Sequence, residues 1–138
     1  MSTVYVETSA VLAWLLGEPG ADDVRSAVDA ATRVVTSSLT VTETERALVR
    51  AEHGKVVTAG DAQRLRGLLH RAKLAWMTMG LSSEVLTRAG QPFPVEPVRT
   101  LDAIHLATAL AFTKAYPDLH ILTLDHRIAN NAQPLGLA

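Results

Sequence analysis

Four carboxylates stand at the boundaries of the regular elements in this sequence. Glu7 follows the β-prone run Thr3 to Val6, Glu43 sits in the first turn expected of a helix, Asp102 falls early in a stretch that is otherwise apolar nearly all round, and Asp125 follows the run Leu119 to Thr123. Each has an ordinary explanation by itself. Asp125 can cap a helix, Glu43 can be the far end of a capping box begun by Thr40, Asp102 can complement a helix dipole, and Glu7 can be an exposed strand end. Gathered in one place, however, the four would repel one another and lose hydration, a cost that a fold tolerates when a hard divalent cation neutralises them. Ligands that are all oxygen favour Mg²⁺ or Mn²⁺ over zinc. Such an ion can hold a phosphoryl oxygen and acidify a water beside it.

The elements that must position these acids alternate along the chain. Thr3 to Val6 reads as a strand, with the polar cluster Glu7-Thr8-Ser9 leading into the apolar helix Ala10 to Leu16, which the Gly17 to Gly20 segment ends. Apolar residues at helical spacing follow over Asp22 to Ala31, then a β-prone run Arg33 to Thr36 and a helix through about His53. An amphipathic helix is expected over Thr58 to Lys73, a brief strand over Trp76 to Met79 and a short helix from Ser82 or Ser83 to Ala89. The Pro-rich segment 90–97 is a loop, Thr100 to Phe112 a helix packed on several sides, Leu119 to Thr123 a strand, and Arg127 to Ala132 a helix. Short strands alternating with helices imply an α/β fold, three layers with a central, mostly parallel sheet of four or five strands, in a single domain spanning 1–138. Ligands of such folds bind outside the carboxyl ends of the strands.

Composition narrows the chemistry further. The 138 residues contain no cysteine, which excludes thiolate metal sites, disulfides and cysteine nucleophiles. Thirteen Lys and Arg against 14 Asp and Glu give a net charge of −1, so nucleic acid could be held only by local bases or a metal. The start of the chain lacks the basic and apolar regions of a secretory signal, and no run approaches a membrane span, so a cytoplasmic location is expected. Glycine-rich nucleotide loops, the nucleophile elbow and the zincin helix are all missing. Among the five histidines no metal-ligand spacing occurs, and His105 is expected simply to pack inside its helix. Trp14 and Trp76 are likewise expected to pack in the core rather than to stack on bases.

Four strings in the chain, Val4-Tyr-Val-Glu-Thr-Ser-Ala-Val-Leu-Ala-Trp-Leu-Leu16, Thr36-Ser-Ser-Leu-Thr-Val-Thr-Glu-Thr-Glu-Arg-Ala-Leu48, Arg99-Thr-Leu-Asp-Ala-Ile-His-Leu-Ala-Thr-Ala-Leu110 and Leu122-Thr-Leu-Asp-His-Arg-Ile128, resemble the four motif regions of PIN-domain ribonucleases. More narrowly they are similar to the VapC toxins of bacterial toxin-antitoxin pairs, over essentially the whole chain. The resemblance implies a Mg²⁺- or Mn²⁺-dependent endoribonuclease that leaves 5′-phosphate and 3′-hydroxyl ends. It puts the family's four acids on Glu7, Glu43, Asp102 and Asp125, with Glu7, Asp102 and Asp125 as metal ligands and Thr8, Ser9 and Thr123 as supporting hydroxyls. The first acid of the family is usually Asp, so Glu7 must reach from a backbone one methylene further back. Glu45 competes for the second position, but two residues along a helix turn it about 200° away, which favours Glu43. Arg46, Arg50, Arg99 and Arg127 flank the motifs as candidate RNA contacts. The resemblance also implies an RNA substrate, a VapB-like antitoxin and a homodimer, the last consistent with apolar surface on the helix Thr58 to Lys73 and on Trp76 to Met79.

Other readings remain open at this point. A metal-free ribonuclease could use His105 and His126 as acid and base, with the ribose 2′-hydroxyl as nucleophile. A catalytically weak PIN-like module could hold RNA or a protein without turnover. A phosphate-accepting receiver domain also gathers acids on a sheet edge, but it needs a lysine where this chain has Leu124 and Asp125.

Overall fold

Side chains alternate along β1 (Thr3–Val6), and this divides the interior in two. The computed structural model describes residues 2–138. In it Tyr5 points to one face of the sheet, into a core with Val35, Leu106, Phe112, Ile121 and Ile128, while Val4 and Val6 point to the other, against Val11, Leu15, Leu48, Leu65 and Leu69. Helices therefore cover both faces, and all four residues of β1 are buried.

Four strands form the sheet, β1, β2 (Arg33–Ser37), β3 (Met77–Met79) and β4 (His120–Leu122), in the order β3-β2-β1-β4, and every pairing is parallel. This matches the expected layered α/β architecture at the lower strand number. The chain moves outward from β1 to β2 to β3 and then returns to the opposite side of β1. The strand order thus reverses between β1 and β4, the place where a crevice opens at the carboxyl ends of a parallel sheet.

The helices are α1 (Thr8–Leu16), α2 (Ala21–Ala30), α3 (Ser38–His53), α4 (Ala59–Lys73), α5 (Ser83–Ala89), α6 (Thr100–Phe112) and α7 (His126–Ala132). Gly17 ends α1 with a left-handed φ of 65°, and its N–H returns to the Ala13 carbonyl. Nine of the residues of α6 are buried, including Asp102 and His105, as expected of a helix that packs on the sheet and on α5 and α7. The apolar face of α4 is used inside the molecule, with Leu65 and Leu69 buried beside Leu48. Trp14 and Trp76 pack at the edge of that core and line an apolar cavity of about 280 Å³ that none of the four acids touches. Among the described residues no helix is long and apolar enough to cross a membrane.

The chain offers Ser37, Ser38 and Thr40 as caps for α3, and the first of them is used, so the capping box of Thr40 with Glu43 does not form. The N-cap of α3 is Ser37, whose side chain accepts from the Leu39 N–H at 3.0 Å, not Thr40. Because β2 runs straight into α3, the helix starts three residues earlier than the Thr40 pattern suggests. Thr40 is then an interior residue whose carbonyl accepts from the Thr44 hydroxyl, and Glu43 lies in the second turn, its carboxylate free of any capping duty. The capping box of the molecule is instead formed by Thr58 and Asp61 at the start of α4.

Candidate functional site

Glu7 is both the last residue before α1 and its N-cap. Its extended backbone lets one carboxylate oxygen accept from the Ser9 N–H at 3.1 Å, so the side chain folds back over the end of β1. The other oxygen receives two hydroxyls, Ser9 and Thr123, each at 2.5 Å. Both hydroxyl oxygens are in turn filled from the β4 side: Ser9 Oγ accepts from the Leu124 N–H at 2.8 Å and Thr123 Oγ1 from the Asp125 N–H at 3.0 Å. Each hydroxyl has a single proton, and both protons go to Glu7. The loop after β4 is thereby stitched to the loop after β1, across the point where the strand order reverses.

Asp125 caps α7 as expected, one oxygen accepting from the N–H groups of Arg127 and Ile128. Its other oxygen accepts from Arg99 at 3.1 Å. The same guanidinium reaches Asp102 with two bonds, at 2.9 and 3.2 Å, and Asp102 is 5% exposed. Arg99 therefore bridges two acids from different elements, with its side chain 60% exposed. The hydrogen bond and charge of Asp102 push the Arg99 guanidinium further up from its ordinary value. Rather than lying open to an RNA backbone, Arg99 faces the acids. Arg46, Arg50 and Arg127 are exposed, and among the described residues none of the three pairs with a carboxylate.

Glu43 joins the cluster through Thr8, whose hydroxyl donates to Glu43 Oε1 at 2.6 Å, and through His105, whose Nε2 lies 2.6 Å from the same oxygen. Burial pushes the Glu43 carboxyl up, but donation from His105 and Thr8, and the nearby positive charge of Arg99, outweigh it and leave the group below the ordinary carboxylate range. Glu45 faces away and pairs with His70 at 2.9 Å. The helical rotation that favoured Glu43 over Glu45 is thus what the backbone does.

Glu7, Ser9, Thr123, Asp125, Arg99 and Asp102 consequently lie in one hydrogen-bonded network at the carboxyl edge of the sheet, and a second set, Thr8, Glu43 and His105, meets it where His105 Nε2 stands 4.0 Å from Glu7. His105 is the residue that the sequence reading undervalued. It is 1% exposed and does pack in its helix, yet its Nε2 also reaches Glu43, lies 3.2 Å from the Thr8 hydroxyl and stands 4.0 Å from Glu7. The available signal was its spacing: three residues after Asp102, it shares that acid's face of the helix.

The donors fit a hard divalent ion in type, since every acid offers oxygen and a positive charge already sits between Asp102 and Asp125. Among the described residues no group of three or more acid or imidazole side chains is arranged to enclose an ion. An ion would have to compete with Arg99 for these two carboxylates.

The family model for the PIN domain matches residues 4–133, nearly the whole chain and every member of the network. The chain belongs to the PIN-domain family. Within it, this PIN domain is 33% identical to Ribonuclease VapC46 of Mycobacterium tuberculosis, over 100% of this chain and 96% of that protein, and 31% identical to Ribonuclease VapC35 of the same species, over 98% and 93%. These similarities put it in the VapC branch. Its backbone also resembles VapC20 of Mycobacterium tuberculosis, a Sarcin-Ricin loop cleaving toxin, with a TM-score of 0.66 over 92% of this chain and 93% of that one, at 14% identity. That likeness is one of fold.

Proposed function

We propose that this PIN domain is a divalent-metal-dependent endoribonuclease of the VapC kind, with Glu7, Asp102 and Asp125 as ligands of Mg²⁺ or Mn²⁺ and Glu43 completing the site. The observation that carries the reading is the gathering of four acids at the strand-order reversal, in a chain whose relatives are named ribonucleases. When bound, the ion supplies Lewis acidity toward a phosphodiester oxygen and an acidified water. The chain's own groups do the rest. Ser9 and Thr123 fix the Glu7 carboxylate, which absorbs the extra methylene of Glu in a position already shaped to it. Asp102 and Asp125, which Arg99 now bridges, would hold the ion together with Glu7, and the Arg99 guanidinium would supply a cation beside a phosphate. Arg46, Arg50 and Arg127 add backbone contacts without sequence readout. Hydrolysis leaves 5′-phosphate and 3′-hydroxyl ends.

The same reading includes a VapB-like antitoxin that covers the acids, a homodimer and a cytoplasmic location. With the face of α4 buried on α3, the dimer contact falls to exposed residues such as Leu74 and Met77. Sedimentation at micromolar concentration measures that state, and a monomer there would remove the dimer from the proposal.

The second reading, a non-cleaving PIN-like module that holds RNA or a protein, has one observation in its favour: Asp102 and Asp125 already share a cation in Arg99. Mapping the ends produced from total RNA, with Mn²⁺ and with EDTA and with Asp102→Asn as control, separates the two. Cleavage that needs metal and Asp102 and leaves 5′-phosphates supports the enzyme. Metal-independent cleavage to cyclic phosphates would support the His105 and His126 chemistry instead, and no cleavage at saturating Mn²⁺ would support the module.

A further inference from the structure

We infer that His105 is a positioning residue for Glu43, oriented by a buried hydrogen bond from Tyr5, an inference that rests on the metal-dependent reading of the site. Glu43 Oε1 accepts at 2.6 Å from Thr8, whose single proton is used there, so the contact with His105 at 2.6 Å requires the hydrogen to be on Nε2. In the tautomer with its hydrogen on Nε2, the ring offers a lone pair at Nδ1. Tyr5 Oη lies 2.8 Å from Nδ1, on a residue with no exposure at all, and its hydroxyl proton is the one that this lone pair can accept. The donors therefore run one way, Tyr5 to His105 to Glu43. Both ring nitrogens are satisfied, the ring stands edge-on to Tyr5 with centroids 6.0 Å apart, and 1% exposure leaves it no other orientation.

This array connects three elements that carry acids. Tyr5 lies two residues before Glu7 on β1, His105 lies three after Asp102 on α6, and the carboxylate that His105 holds is on α3. A packing role alone would need none of these polar atoms, since Leu106 and Phe112 fill the same core with apolar surface. Among the described residues no backbone group donates to the Glu43 carboxylate, so its place at the cluster depends on Thr8 and His105.

Two variants of similar size separate positioning from packing. In His105→Gln the amide nitrogen falls near Nε2 and can still donate to Glu43; in His105→Asn the amide reaches only the Nδ1 position, toward Tyr5. Mn²⁺ titration of the folded protein by calorimetry should show affinity reduced about 10- to 100-fold in His105→Asn and mostly restored in His105→Gln. RNA cleavage should follow in kcat with KM little changed. Independently, ¹⁵N NMR of the wild type should show His105 protonated at Nε2 and not at Nδ1, and Tyr5→Phe should raise the Nδ1-protonated population. Equal losses in the Gln and Asn variants, or a ring protonated at Nδ1 in the wild type, would overturn the assignment. Wild-type protein that binds Mn²⁺ and cleaves no RNA would instead sink the ribonuclease reading, and the Gln-against-Asn split in Mn²⁺ affinity would still decide the role of His105.

Discussion

The acidic cluster has two halves that are held by different means. Glu7 and Glu43 are fixed by neutral donors, the hydroxyls of Thr8, Ser9 and Thr123 and a histidine rooted in the core. Asp102 and Asp125 are held by one arginine whose side chain is mostly in water. Hydroxyl and imidazole donors orient a carboxylate without cancelling its charge, so the inner pair stays poised for a cation. A guanidinium that is itself 60% exposed cancels charge while staying open to solvent, so this pair, outer in the sense that its counter-ion faces water, is neutralised yet can be released. The inner half is set by the fold, and the outer half is the part that changes partners. Removing a carboxylate, removing an orienting hydroxyl and removing the arginine should therefore have three different signs or sizes.

The largest effect is expected for Asp102→Asn. The amide keeps the shape of the side chain at the third position of α6 and leaves Arg99 free to turn to solvent, so the fold should survive. The lost charge should remove several kcal/mol of transition-state stabilisation, on the order of a thousandfold in Mn²⁺-dependent cleavage of RNA. Activity equal to wild type at matched folded fraction would show that Asp102 is only a helix-start charge. Thr123→Val comes next. It deletes the proton that goes to Glu7 and the acceptor for the Asp125 N–H while keeping the branched shape, and Ser9 still holds the same carboxylate. Mn²⁺ affinity should fall about tenfold or more, the usual cost of losing a group that orients a ligand.

Arg99→Gln should act in the opposite direction on metal. Removing the guanidinium frees both outer acids, so Mn²⁺ should bind about fivefold more tightly, the equivalent of roughly 1 kcal/mol of competing ion pair. RNA affinity should not rise with it, because the same change removes a cation from beside the phosphate. Tighter Mn²⁺ binding measured by calorimetry together with weaker RNA binding would support an arginine that changes partners. Unaltered Mn²⁺ affinity would mean that the ion and the guanidinium do not share carboxylates.

How much of this could be read from the sequence depends on the range of the interaction. The limits of α6 at Thr100 and Phe112, and Asp125 as the cap of α7, follow from local pattern and were legible. The start of α3 was legible only in part, because Ser37, Ser38 and Thr40 all offer caps and the junction with β2 decides among them. Arg99 looked like a base facing outward, since nothing in a one-dimensional string shows that Asp102 and Asp125, 23 residues apart in number, fall on either side of it. His105 is the sharpest case. Its helix reads as apolar all round, which correctly implies burial and says nothing of what the ring nitrogens meet. The partners that give it a second role, Tyr5 and Glu43, are 100 and 62 residues away.

The smallest expected effect is on stability in acid, and it probes the inner half alone. Glu43 is held below the ordinary carboxylate range in the folded protein, so the unfolded chain takes up its proton at higher pH than the native chain does. Stability from this group is therefore fully present above the unfolded value, about 4.3, and is lost as pH falls through the lower folded value. Glu43→Gln has no proton to take up. Its stability deficit relative to wild type, measured by urea unfolding, should be largest near neutral pH and should shrink on acidification through the carboxylate range. The effect is kept small by the partial exposure of Glu43, which screens its charge. His105 sharpens the comparison, because in His105→Asn the main donor is gone and the folded value should move back toward the ordinary one, flattening the pH dependence even where Glu43 is intact. A wild-type and Glu43→Gln pair whose difference is constant with pH would mean that His105 and Thr8 do not favour the charged carboxylate, and that the inner half of the site is no more prepared for a cation than the outer.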